Sequence, residues 1–100
     1  MWYAIMAEDT ANSLDKRLAA RPEHLKRLHS LQEAGRLLLA GPFPAIDSVD
    51  PGPAGYSGSL IVAEFSNLEE ATEWANNDPF VISNVYKSVI VKPFRKTLPS

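Results

Sequence analysis

Apolar residues in this chain fall into short blocks with clear punctuation between them. Trp2-Tyr3-Ala4-Ile5-Met6-Ala7 is an apolar run closed by Glu8-Asp9 and reads as a strand. From Leu14 to Ala34 the spacing becomes helical, with Ser13 or Asn12 as N-cap. Placed about 100° apart, Leu14, Leu18, Leu25, Leu28 and Leu31 share one broad face, with Arg21 at its centre. Pro22 interrupts this stretch, and a proline inside a helix removes a hydrogen bond and crowds the preceding turn. The pattern predicts a short helical segment to about Ala20, a kink or restart at Pro22, and closure at Gly35.

Arg36–Ala40 reads as a second strand, stopped by Gly41-Pro42 and followed by a loop from Pro44 to Tyr56. Four of the eight prolines lie between Pro42 and Pro53, so this connection is stiff; its length favours a functional or interface role. Ser57–Phe65 is a third strand, and Asn67 caps a helix carrying Leu68, Ala71, Trp74 and Ala75. Asn76-Asn77 ends that helix, and Asp78-Pro79 opens a further turn over Phe80–Ser83. Val85–Val91 is the fourth strand, stopped by Pro93, which leaves residues 93–100 as a loose basic tail.

The order β-α-β-β-α-β is the ferredoxin-like arrangement, an α+β fold filling residues 1–100 as one domain. Its antiparallel sheet has the order 4-1-3-2, with both helices on one face. One covered face should give strands that alternate with polar residues. Here Tyr3, Ile5 and Ala7 point one way while Trp2, Ala4 and Met6 point the other, and Leu37-Leu38-Leu39 and Leu60-Ile61-Val62-Ala63 are apolar on both sides. No element remains to cover the second face, so the pattern predicts a homodimer packed sheet against sheet.

Composition narrows the chemistry. The 100 residues carry 10 Lys+Arg against 12 Asp+Glu, a net charge of −2, which leaves no basic excess for phosphate contacts and argues against nucleic acid. Without cysteine there is no disulfide, thiolate metal site or Cys nucleophile. No apolar run is long enough for a membrane span and the N-terminus has no basic leader, so a cytoplasmic protein is expected. Two other uses of the fold drop out. Strand 3 lacks the exposed aromatics of an RNA-recognition domain. The acidic Glu8-Asp9-Thr10-Ala11-Asn12 stretch replaces the anion-cradling loop of an acylphosphatase.

Chemistry then rests on two histidines and the carboxylates. Traced through the topology, the start of the main part of helix 1 and the connection between helix 2 and strand 4 meet at one edge of the sheet. That sets His24 and Asp78 on one edge of the fold, where geometry allows them to pair with the Pro-rich loop as roof. A carboxylate partner fixes the tautomer of a histidine, which suits it to general acid/base work. The plainer alternatives are a border histidine bonded to a carbonyl and an Asp that only caps a turn. His29, five positions on, does not share a helix face with His24, which argues against a paired metal site. Arg21 or Arg17 would anchor an anionic group, Tyr56 and Ser59 would line the pocket, and Glu69-Glu70-Glu73 is a solvated helix face.

The stretches Leu14-Asp15-Lys16-Arg17-Leu18, Arg21-Pro22-Glu23-His24-Leu25, Gly35-Arg36-Leu37-Leu38, Ala40-Gly41-Pro42, Asp78-Pro79-Phe80 and Val89-Ile90-Val91-Lys92-Pro93-Phe94 resemble the YciI-like (YCII-related) family over almost the whole chain. The resemblance implies a ferredoxin-like fold dimerising through its sheets, and a His–Asp pair in a central pocket at His24 and Asp78. Related members include a dehydrochlorinase acting on a chlorinated hydroxyquinol, and muconolactone isomerase shares the wider dimeric α/β-barrel architecture. Two functions stay open. One is a cofactor-independent enzyme, using no metal, in which His24 and Asp78 promote elimination or isomerisation of a small anionic or aromatic substrate. The other is a small-molecule-binding or regulatory module without catalysis.

Overall fold

In the computed structural model, which describes residues 1–100, β1 (Trp2–Asp9) is an inner strand of a four-stranded antiparallel sheet. It pairs on one side with β3 (Tyr56–Glu64), Ile5 opposite Ile61, and on the other with β4 (Tyr86–Phe94), Ile5 opposite Val91. β2 (Leu37–Pro44) completes the order β2-β3-β1-β4, the order expected for a ferredoxin-like fold. One long helix, α1 (Leu14–Glu33), follows β1, and α2 (Leu68–Asn76) and the short α3 (Pro79–Ile82) follow β3. The expected α+β fold is met in element order and strand order.

The strands run further than their prolines suggest. β2 passes through Gly41-Pro42 to Pro44, and β4 continues through Pro93 to Phe94, which pairs with Trp2. Both are edge strands, where a proline lacking its N–H leaves no ladder bond unmade if that side faces solvent. The tail therefore begins after Phe94 rather than at Pro93.

α1 also departs from expectation. It is one element from Leu14 to Glu33, with Pro22 inside it and no restart. Pro22 lies on the solvent side, where water can satisfy the carbonyl that its ring leaves unpaired. The residues that fix the helix are on the other side: Ser13, Arg17, His24, Leu28 and Leu31 are buried, and they recur at helical spacing. Arg17 is anchored before the proline and His24 after it, so both halves are held in line. The leucine face had the right period but the wrong phase. Leu18 and Arg21 are exposed, and Arg17 takes the buried place expected for Arg21. Gly35, at φ +70°, turns the chain out of the helix as the N–H groups of Gly35 and Arg36 bond back to Gln32 and Leu31.

The lower part of the domain is an apolar core. Tyr3, Ile5, Ile61 and Ala63 from the sheet meet Leu28, Leu31, Ala71 and Ala75 from the helices, with Phe65 beside them. Above it, Ala7, Phe80, Val85 and Tyr86 form a second cluster. α1 therefore has two ends of different character. Its C-terminal half supplies leucines to the core, and its N-terminal half supplies Arg17 and His24 to the region around the second cluster.

The outer face of the sheet carries Met6, Leu39, Phe43, Ile90 and Phe94, all exposed in the single chain. The ladder register places Ile90, Met6, Leu60 and Gly41 side by side across all four strands of that face.

Candidate functional site

The chain breaks between α2 and α3 at Asn77, and Asp78 opens α3 with Pro79 at its first position. As an N-cap it accepts the Phe80 N–H on Oδ1 at 2.9 Å. The same carboxylate faces the middle of α1. His24 Nδ1 lies 2.8 Å from Oδ1 and 3.0 Å from Oδ2, with Asp78 only 1% exposed and His24 6%. The structural and the functional readings of Asp78 are thus both true of one side chain. A carboxylate only accepts, so Nδ1 carries the proton and Nε2 of the neutral ring presents a lone pair. The imidazole lies flat on Phe80, centroids 3.9 Å apart, with Tyr86 edge-on to it.

A second donor reaches Asp78 from α1. Arg27 Nη1 is 3.3 Å from Oδ2 while its Nη2 donates to the Trp74 carbonyl at 2.8 Å. The guanidinium sits over the Trp74 ring, 4.2 Å from the centroid. Burial lowers the Arg27 pKa, Asp78 opposes that, and an arginine still keeps its charge. Asp78 is thereby a fully engaged, charge-balanced anion.

Arg17, two turns before His24 on α1, is held just as firmly. Its Nε and Nη2 bond the Asp9 carboxylate at 2.9 and 3.1 Å, and Nη2 also donates to the Gly58 carbonyl and Ser59 Oγ, each at 2.9 Å. The guanidinium lies between the Tyr56 and Phe80 rings. This buried pair comes from three elements: Asp9 ends β1, Arg17 is on the first turns of α1, and Gly58-Ser59 are in β3.

Both assemblies open on one cavity of about 360 Å³. His24, Arg17, Arg21, Tyr56 and Ser59 line it, with Leu25, Leu28, Ile61 and Phe80 among its apolar walls. All five cavity-facing residues expected from the sequence are there, and Asp78 stands behind His24. Two atoms matter most. His24 Nε2 and Arg17 Nη1 have no hydrogen-bond partner in the chain, yet neither is sealed in, since the one buried side-chain polar atom without a partner is the Tyr86 hydroxyl. The cavity therefore offers one acceptor and a set of cationic donors. Arg21 is exposed at its mouth. The roof is not as expected: Ala40-Gly41-Pro42 of β2 wall this cavity, while Pro53-Ala54-Gly55 line a separate groove of about 690 Å³ with the β1–α1 turn.

Tyr86 stands beneath the two charged pairs. Burial pushes its phenol well above the usual range, and the charges of Asp78 and Asp9 add to this, while Ser59 and Arg17 oppose it. The hydroxyl stays protonated at any physiological pH.

A YCII-related domain model matches residues 1–95. The chain belongs to that family. Its relatives include protein YciI of Escherichia coli O6:H1, 57% identical over 96 residues, covering 96% of this chain and 98% of that one. An uncharacterized protein of Haemophilus influenzae is 54% identical over the same shares of the two chains. Among solved structures, 5-chloro-2-hydroxyhydroquinone dehydrochlorinase (TftG) from Burkholderia phenoliruptrix, in complex with 2,5-dihydroxybenzoquinone, superposes with a TM-score of 0.84 at 22% identity, over 97% of this chain and 96% of that one. That likeness establishes the shared fold.

In this member of the YCII-related family two site residues escape a reading of the sequence. Asp9 continues the inward parity of Tyr3, Ile5 and Ala7 along β1, which was the available signal. Arg27 follows His24 by three positions, a spacing that places both on one side of a helix. No group of three or more His, Asp or Glu side chains is arranged to hold a metal ion, and no helix is long and apolar enough to cross a membrane.

Proposed function

We propose that this chain is a cofactor-independent acid/base enzyme acting on a small, flat substrate that carries an anionic oxygen. The observation that carries the reading is the free Nε2 of a buried histidine whose Nδ1 is fixed by Asp78, open to the same cavity as the free Nη1 of Arg17. Nε2 takes a proton from a carbon or hydroxyl acidified by a neighbouring carbonyl. The electron pair moves onto the carbonyl oxygen, and Arg17 Nη1, with Arg21 at the mouth, receives the developing charge. Return of the proton from Nε2–H to another carbon gives isomerisation. Collapse of the electron pair with loss of a leaving group as its anion gives elimination. A cavity of about 360 Å³ is at the small end for ligands, and its aromatic and aliphatic walls suit a single ring. The dehydrochlorination named for the Burkholderia relative is chemistry of the elimination kind and supports the class.

His24→Ala tests the reading with a panel of hydroxylated quinones and enolisable cyclic acids. Turnover of a substrate is expected to fall by about 10²–10⁴-fold, while calorimetric binding of that compound changes only a few-fold. The alternative, a ligand-binding module, is favoured if compounds bind parent and variant chains alike and none is turned over.

The same reading includes a homodimer formed through the outer sheet face, supported by the apolar row Ile90, Met6 and Leu60. Sedimentation at micromolar concentration is expected to give twice the 11.0 kDa chain mass, and Ile90→Lys to give the single-chain mass. A parent chain that sediments as a monomer would end this part of the proposal.

A further inference from the structure

His24 has charged or titratable neighbours on β1, β3, β4, α1 and the α3 cap, while β2 offers none, and their balance is unequal. Asp9 of β1 and Arg17 of α1 neutralise each other through two hydrogen bonds. The phenol of Tyr86 on β4, pushed up by burial, is neutral, and Tyr56 of β3 sets its ring against the Arg17 guanidinium. Arg21 is exposed to water, which screens it. What remains is Asp78, whose charge bears directly on the imidazole, and Arg27, which lies 3.3 Å from Oδ2, an oxygen that His24 Nδ1 also meets. Without Arg27, a buried aspartate would face His24 with no other counter-charge in contact. The cheapest remedy would be a proton on His24 itself, which would make the ring an imidazolium and abolish its lone pair.

We infer that Arg27 is a positioning residue: by holding the charge of Asp78, it keeps His24 neutral and its Nε2 free to act as a base. The geometry suits that role better than a plain surface contact. Arg27 is clamped at three points, by the Asp78 carboxylate, the Trp74 carbonyl and the Trp74 ring, and only a quarter of its side chain is exposed. α2 thus reaches the site indirectly, by fixing a cation that touches no ligand. The inference deepens the acid/base reading of the cavity and rests on it for its meaning, but the protonation of His24 can be measured whether or not a substrate is found.

The chain supplies its own reference. It has two histidines, and the second, His29, is exposed on the other side of α1. Nitrogen-15 NMR titration of both rings in the parent, Arg27→Gln and Arg27→Lys chains is the test. In Arg27→Gln the His24 midpoint is expected to rise by about one pH unit relative to the parent, with His29 unmoved. Arg27→Lys keeps the charge and is expected to restore most of the parent value. A His24 midpoint that stays in place or falls in a folded Arg27→Gln chain would overturn the inference. Equal shifts in the Gln and Lys variants would do the same, since they would make geometry rather than charge the cause. Should Arg27→Gln fail to fold, Trp74→Leu loosens the clamp while leaving the arginine; a smaller rise of the same sign is expected, and no rise refutes the role. If the midpoints behave as stated but no turnover is ever found, the positioning role stands and the enzyme reading alone falls.

Discussion

Asp9→Ala is expected to destabilise the domain by about 3–5 kcal/mol, the range for breaking a buried ion pair from one side. The Asp9 side chain is 2% exposed and that of Arg17 7%, so both charges are largely withdrawn from water, with only Arg17 Nη1 open to the cavity. Removing the carboxylate leaves the guanidinium with only the Gly58 carbonyl and Ser59 hydroxyl as acceptors. For a domain of this size each kcal/mol is worth about 4–8 °C, so calorimetry should record a fall in melting temperature of about 12 °C or more. The paired change Asp9→Ala with Arg17→Met decides whether the loss comes from the orphaned charge. It is expected to recover a large part of the stability while abolishing anion binding in the cavity. A fall of less than about 1 kcal/mol in the single variant would show that Arg17 finds water or another partner.

Gly58→Ala should cost about 3 kcal/mol, the upper end for overpacking. A methyl at Gly58 would run into the Ala7 carbonyl of the paired strand and press on the Phe43 ring. The obstacle is backbone in an inner pair of strands, which cannot swing aside as a flexible side chain can. The site feels the change directly, because the Gly58 carbonyl is one of the acceptors holding Arg17. Chemical denaturation reads the stability, and the affinity for a small carboxylate reads the displacement of Arg17. Parent-like values in both would mean that β1 and β3 separate at little cost.

Much of this was legible in the amino acids because it depends on local pattern. Apolar parity gave the strands and their two faces, and the alternation of element types gave the sheet order. Topology set His24 and Asp78 on one side of the fold, but it did so by starting a helix at Pro22; His24 lies in the middle of an unbroken α1, and it is the α3 cap that carries Asp78 down to it. What failed was phase. A helical wheel centred on leucines put Arg21 at the middle of the buried face, but the packing partners of α1 near its start are Asp9, Ser59 and Phe80, which hold Arg17 and turn the helix so that Arg21 and Leu18 face outward. Proline was over-read for the same reason. At Pro22, Pro42 and Pro93 the missing N–H falls on a solvent side or in an edge strand, so a general prohibition did not apply. Arg27 was passed over because its role depends on Trp74, 47 positions away.

The inner place of β1 has a consequence for how the chain acquires its structure. Residues 2–9 are synthesised well before both of their ladder partners, since β3 and β4 come from beyond residue 55. Loop closure over such separations is slow. Of the site, only Asp9 and Arg17 can meet early; Ser59 and Asp78 must wait for the later half of the chain. The histidine cavity therefore waits for residues 78–80, and until β3 and β4 follow, β1 is an apolar strand with two open edges, the kind of segment that associates wrongly.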